Sequence, residues 1–203
     1  MKNQNFNKGL TLTALGSFWW GVIGVIYFKY ISFAGPIEVV IHRCIWTSVV
    51  LIITTFYFSK WNIFFEIISN KRKLVWLFFS GLLIFINWAT WIYAVGTEKI
   101  IDASFGYFIM PILSVFLGYI FYNEKINRRR GIAIILVLIS ILFLLVVNFN
   151  SIPWVGIIVA LSWGFYNLLR KKINVDTDVG LLIESLFILP FALFSFYLIF
   201  QNN

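Results

Sequence analysis

Within the run Pro36-Ile37-Glu38-Val39-Val40-Ile41-His42-Arg43-Cys44-Ile45-Trp46, a carboxylate, an imidazole and a guanidinium fall inside six residues. They stand at the head of an apolar segment of membrane length. A charge in hydrocarbon costs about 2.5–3.5 kcal/mol on insertion scales, so a chain keeps such groups where they face a bundle interior or a wet cavity. On a helix starting at Pro36, Glu38 lies ~3 Å in, and His42 and Arg43 ~9–10 Å in. His42 follows Glu38 by four residues and shares its face. Arg43 lies about 100° further round and can snorkel along its stem. The chemistry on offer is reception of an anionic or polar group by Arg43 or His42, with His42 or Glu38 carrying a proton. The plainer readings make Glu38 an acid favoured by the helix dipole and His42 a packing residue.

Other polar side chains interrupt later apolar runs. Asn87 lies ~20 Å along its segment from Leu74, beside Trp88 and Trp91, where an amide either meets a solute or bridges two helices. Asp102 precedes Gly106-Tyr107 by about one turn. Pro111, mid-segment, removes a backbone donor and marks a kink or hinge. Tyr107 and Tyr166 carry hydroxyls able to bond a solute, or belong to an interfacial aromatic belt. Glu184 lies ~7.5 Å inside the last segment, as a site carboxylate or as an acid at the interface. Cys44 is a small packing residue.

These residues need helices to hold them. The chain has 203 residues, of which 61% are hydrophobic, 20% aromatic and 12% charged. Soluble domains carry about 25% charged residues, so a polytopic all-α membrane bundle is expected, and the runs are too continuous for barrel strands. Seven spans are read: Leu10–Phe28, Ile37–Phe58, Leu74–Val95, Ala103–Tyr122, Ile132–Val147, Ile152–Leu169 and Val179–Phe200. Met1–Gly9 is a polar start, Lys60–Lys73 a connector with an amphipathic middle, Asn148–Ser151 a tight polar turn and Arg170–Asp178 a charged loop.

The net charge is +8, yet the basic residues form short clusters between apolar runs, which argues against nucleic acid as a partner. With the N-terminus in the cytoplasm, thirteen of the sixteen basic residues fall inside and two, Lys29 and Lys99, outside; Arg43 is in the membrane. That asymmetry sets the orientation. Ala14-Leu15, Trp20-Gly21 and Lys29 are echoed by Ala160-Leu161, Trp163-Gly164 and Lys172, and Glu38 by Glu184. Five spans separate the copies, so the second is inverted, a pattern of secondary transporters. The expected division is 1–150 for a first unit of five spans and 151–203 for the start of a second. On that reading three further helices are missing or supplied by a partner.

Enzyme signatures do not occur. One histidine rules out H-E-x-x-H, one cysteine rules out an intrachain disulfide and a Cys-rich metal site, and no P-loop is present. No metal or cofactor is expected.

Glu38-x-x-x-His42-Arg43-x-x-Trp46, Asn87-Trp88, Ala103-Ser104-x-Gly106-Tyr107-Phe108-x-x-Pro111, Gly118 to Glu124, Phe165-Tyr166 to Arg170-Lys171-Lys172 and Leu182-Ile183-Glu184 to Leu189-Pro190 resemble the RarD-like permeases. These are EamA-type members of the drug/metabolite transporter superfamily. The resemblance runs from about Gly9 to Pro190. It implies a bacterial inner-membrane, multi-pass permease of about ten helices in two inverted five-helix repeats, the second incomplete here. It further implies a secondary transporter of small organic solutes or drugs, driven by an ion gradient or by exchange. Met110 stands where the family usually has Asn, and Asn167 where Gly is common. Expected partners are the lipid bilayer, a small-molecule substrate, and a second copy in a homodimer or a complementing C-terminal segment. The alternatives are a fragment or structural membrane subunit without its own transport activity, and, last, an intramembrane enzyme. Glu38, His42, Asn87, Asp102 and Tyr107 are expected to converge on one interior cleft.

Overall fold

The computed structural model describes residues 2–148 and 152–202. Every regular element among them is helical: α1 (Lys2–Phe18), a π-helical segment (Trp19–Gly24), α2 (Val25–Tyr30), a 3-10 turn (Ile31–Ala34), α3 (Pro36–Tyr57), α4 (Trp61–Ser69), α5 (Lys71–Gly96), α6 (Ile100–Tyr122), α7 (Arg128–Asn148), α8 (Trp154–Ile173) and α9 (Thr177–Asn202). Each apolar run read from the sequence is a helix. In hydrocarbon the backbone has no water to bond, so a span must satisfy its own N–H and C=O groups, and a helix does so within one segment.

Six stretches among the described residues are long and apolar enough to cross a membrane: Phe6–Ala34, Pro36–Tyr57, Lys71–Gly96, Ile100–Tyr122, Arg128–Val147 and Thr177–Gln201. The seventh expected span, α8, falls outside that set; Arg170, Lys171 and Lys172 fill its last turn. It nevertheless packs along both α5 and α6, and at ~1.5 Å per residue its 20 residues cover ~30 Å. This is a multi-pass membrane protein.

The polar start is helical from Lys2 on, and the amphipathic middle of the connector is the helix α4, whose Ile67 packs inward. The turn expected at 148–151 lies, from 149 on, outside the described residues.

Cross-chain contacts fix which helix ends lie together. At one end Lys29 pairs with Glu98 at 3.0 Å, and Lys99 lies over the rings of Tyr93 and Trp154. At the other, Lys60 bonds Asp176 at 3.0 Å and Asp178 at 2.8 Å, and Lys171 pairs with Glu124. Consecutive spans therefore alternate, and α3 and α9, which pack together, run antiparallel. The basic clusters Lys71–Lys73 and Arg170–Lys172 sit at the Lys60 end.

Small residues let α6 and α8 touch backbone to backbone. A methyl on Gly106 would overlap the Gly156 carbonyl, and one on Gly156 would overlap the Asp102 carbonyl and stand 3.0 Å from the Gly106 nitrogen. Such close approach gives the dispersion contacts that replace the hydrophobic effect between helices in lipid. The same logic brings Gly81 of α5 against the Glu184 backbone of α9.

Outside the membrane, the Asp178 and Asp176 carboxylates beside Lys60 raise its ammonium above the ordinary 10.5. Burial pushes the Asp176 carboxyl up, but the Val179 and Asp178 N–H donors together with Lys60 outweigh it and hold the group below the ordinary 3.8.

Gly156→Ala should cost about 1–3 kcal/mol by overpacking, read as a lower midpoint in detergent-titration unfolding. Gly21→Ala, with nothing within 4 Å of the new carbon, should leave the midpoint in place. The Lys60–Asp176 clip should stabilise fully between the ordinary values 3.8 and 10.5. It should fade as pH falls through the lower folded value of Asp176 or rises through the higher folded value of Lys60. Stability curves of wild type and Lys60→Ala should run parallel across neutral pH and converge at both extremes.

Candidate functional site

The head of α3 is set by Gly35 and Pro36. Gly35 takes φ +79°, a conformation glycine adopts freely, and Pro36 occupies the first helical turn. From there Glu38, His42 and Arg43 line one groove of about 760 Å³, together with Phe28, Trp46 and Leu51 among others. The His42 Nε2 lies 4.0 Å from Glu38 Oε1, with both side chains partly exposed, and the imidazole edge meets Phe196 of α9 at 5.4 Å.

Arg43 has different surroundings. Its guanidinium carbon lies 4.4 Å from the ring centre of Trp88, 5.2 Å from Trp20 and 5.4 Å from Phe28. Its Nε is buried without a hydrogen-bond partner among the described residues. Trp20 and Phe28 are fixed in turn by Trp91, at 5.2 and 5.1 Å. Trp20 sits in the π-helical segment. The wider turn there shifts the angular register of the side chains that follow, and such bulges recur at functional sites. Tyr107 of α6 is partly buried and packs against the same core cluster as Phe28 and Trp88. Pro111, one turn later, has no N–H for the Tyr107 carbonyl; α6 runs through it unbroken, with Pro111 on the exposed face.

A second polar cluster joins α5, α8 and α9. Glu184 is wholly buried. Its carboxylate accepts from Ser80 Oγ at 2.5 Å, Tyr166 OH at 3.2 Å and Arg170 Nη1 at 3.4 Å. Arg170 also donates to the Thr177 carbonyl at 3.1 Å. Glu184 is therefore a paired interior charge and not an acid at the water interface.

The expected single cleft divides. Glu38, His42 and Arg43 share the groove, and Tyr107 packs against the neighbouring core cluster. Asn87 instead donates to the Val159 carbonyl and Ser162 Oγ of α8, each at 3.1 Å, the bridging role an amide plays between helices. Trp88 is next in sequence and about 100° round, so it faces Arg43 while Asn87 faces α8. Asp102 lies in the first turn of α6 at the Gly156 contact. Tyr166 and Glu184 belong to the second cluster. Sequence reasoning missed Ser80, Arg170 and the rings around Arg43. Arg170 opens the stretch that reads as a charged loop, yet it follows Tyr166 by four residues and so shares its face. Among the described residues no group of three His, Cys, Asp or Glu is placed to hold a metal ion. Cys44 is buried as a free thiol.

The EamA-like transporter family model matches residues 7–146. The chain belongs to the EamA-like transporter family. Over 97% of its length it is 38% identical to a protein named "Uncharacterized transporter" from Vibrio cholerae, covering 64% of that protein. It is 34% identical over its full length to "Protein RarD" of Escherichia coli, covering 68% of it. It is 32% identical over its full length to "Uncharacterized transporter YojE" of Bacillus subtilis, again covering 68%. The chain thus spans about two thirds of the length of these curated relatives. No solved structure matches. Within this EamA member, the α3 groove and the Glu184 cluster each gather ionisable groups on membrane-length helices.

Glu184→Ala leaves Arg170 without its counter-charge and should destabilise the fold by about 3 kcal/mol in detergent-titration unfolding. Glu184→Met combined with Arg170→Met should recover much of that loss.

Proposed function

We propose that the chain forms part of the solute passage of a secondary transporter for small organic solutes or drugs, driven by an ion gradient or by exchange. The observation that carries this reading is the α3 groove, in which Glu38, His42 and Arg43 line a space of drug-like size, about 760 Å³. Ionisable residues at membrane depth are costly and gather along substrate and proton pathways. Glu38 and His42, one helical turn apart, are the pair suited to carry a coupled proton, and the groove supplies the solute's surroundings. The family supports a permease in place of an enzyme. We further propose a bacterial inner-membrane location with the N-terminus cytoplasmic, which would place the Lys60 end of the bundle and its basic clusters inside. The antiparallel pairing of α3 with α9 supports the division into an inverted pair of units at about residue 150.

A second reading has its own observation. Only 6% of the most apolar window of the Phe6–Ala34 span is buried, and none of that of α7. Helix faces so bare favour a chain that transports only when a second copy or a complementing segment covers them.

Purified full-length chain in proteoliposomes, with a pH or sodium gradient imposed, should take up or release members of a labelled solute library above protein-free vesicles. Glu38→Gln should cut the gradient-driven flux at least about tenfold while leaving monodisperse, folded protein, as loss of a proton carrier requires. Flux no greater than in empty vesicles would favour the second reading, and flux unaltered by Glu38→Gln would remove Glu38 from the coupling role.

A further inference from the structure

The charged groups that line the groove are not equivalent. Glu38 has a partner of its own in His42. Arg43 has none: the ion pairs among the described residues leave it out, and its Nε is buried without an acceptor. Five residues separate it from Glu38, so the two side chains leave the helix about 140° apart.

What surrounds Arg43 is aromatic. Trp88, Trp20 and Phe28 stand 4.4–5.4 Å from the guanidinium carbon. Rings attract a cation through its faces. A guanidinium, however, carries its five N–H donors in its plane, as a rigid fork matched to a carboxylate. The cage thus offsets part of the cost of desolvating the charge and leaves the in-plane donors unused. Arg43 is half-buried, and a guanidinium held among rings with its in-plane donors unpaired has bonding capacity left for an anion. The groove that Arg43 lines is otherwise walled by aromatic and aliphatic side chains, among them Phe28, Trp46 and Leu51, with few polar groups beyond the ionisable three.

We propose that Arg43 binds the carboxylate of the transported solute in a bidentate pair, and that the solute is a monocarboxylate with an apolar, aromatic-sized body lying along the groove. The proposal rests on the groove being the substrate site. A phospholipid phosphate offers similar oxyanion chemistry, but Arg43 lies ~9–10 Å down its helix from Pro36, below the level of headgroups.

The test uses the full chain in phosphatidylcholine nanodiscs, titrated with phenylpropionate, its amide and the matching amine, and read by tryptophan fluorescence, since Trp20 and Trp88 adjoin the guanidinium. The acid should give a saturable response, and the amide should bind at least about tenfold more weakly, because it cannot form the charge-assisted pair. Arg43→Gln should lose the preference for acid over amide. Arg43→Lys, which lacks the fork, should retain only part of it. Equal binding of acid and amide by the wild type, or no saturable response to the acid up to about 10 mM, overturns the proposal without any variant. So does acid binding that disappears in phosphatidylglycerol discs while native mass spectrometry shows lipid retained through Arg43. Intact acid binding without vesicle flux would count against the transporter reading alone. Flux of neutral solutes without acid binding would count against this proposal alone.

Discussion

A buried charge in a membrane helix must find its partner inside the protein, because lipid supplies none. The polar architecture of this chain follows from that constraint. Glu184 meets it with Ser80, Tyr166 and Arg170 on two neighbouring helices. Asn87 meets it with the backbone and a serine of α8. These bonds cross between helices, so the same groups that are costly alone also fix which helices are neighbours. Glycines at 81, 106 and 156 make the geometry reachable by removing the side chains that would hold the backbones apart.

Arg43 departs from that rule. Its partners are three ring faces and no acid. Cation–π contacts are worth about 2 kcal/mol or more when desolvated, less than a desolvated guanidinium needs for full compensation. The shortfall at this position, against full satisfaction at Glu184, separates the two clusters physically. The Glu184 cluster stitches α5, α8 and α9 together near the Lys60 end. The α3 groove is lined by a guanidinium whose Nε has no acceptor among the described residues.

The helix pattern was legible because hydrophobic length is a one-dimensional property. Twenty apolar residues cross a bilayer as a helix whatever they pack against, and the boundaries of α3, α5 and α6 lie within three residues of the runs read from the sequence. The family motifs were legible as well, since Glu38, His42 and Arg43 stand close together in the chain. The site was harder. Arg170 looked like one more cation in a basic loop, because its pairing with Glu184 joins two helices across a turn. The bend of register at Trp19–Gly24 had no signal beyond two adjacent tryptophans and two glycines.

By itself, then, the sequence determined that the chain is a multi-pass helical membrane protein of the EamA type, which basic clusters go with which loops, and which segments carry ionisable groups at depth. Those follow from local composition and from spacing along one helix. Tertiary structure alone decided the pairing: Asn87 bridging to α8, Glu184 closed by Ser80, Tyr166 and Arg170, and Arg43 enclosed by rings but left without an anion. A side chain's angle about its helix says which way it points, and only the packing of neighbouring helices says what it meets there.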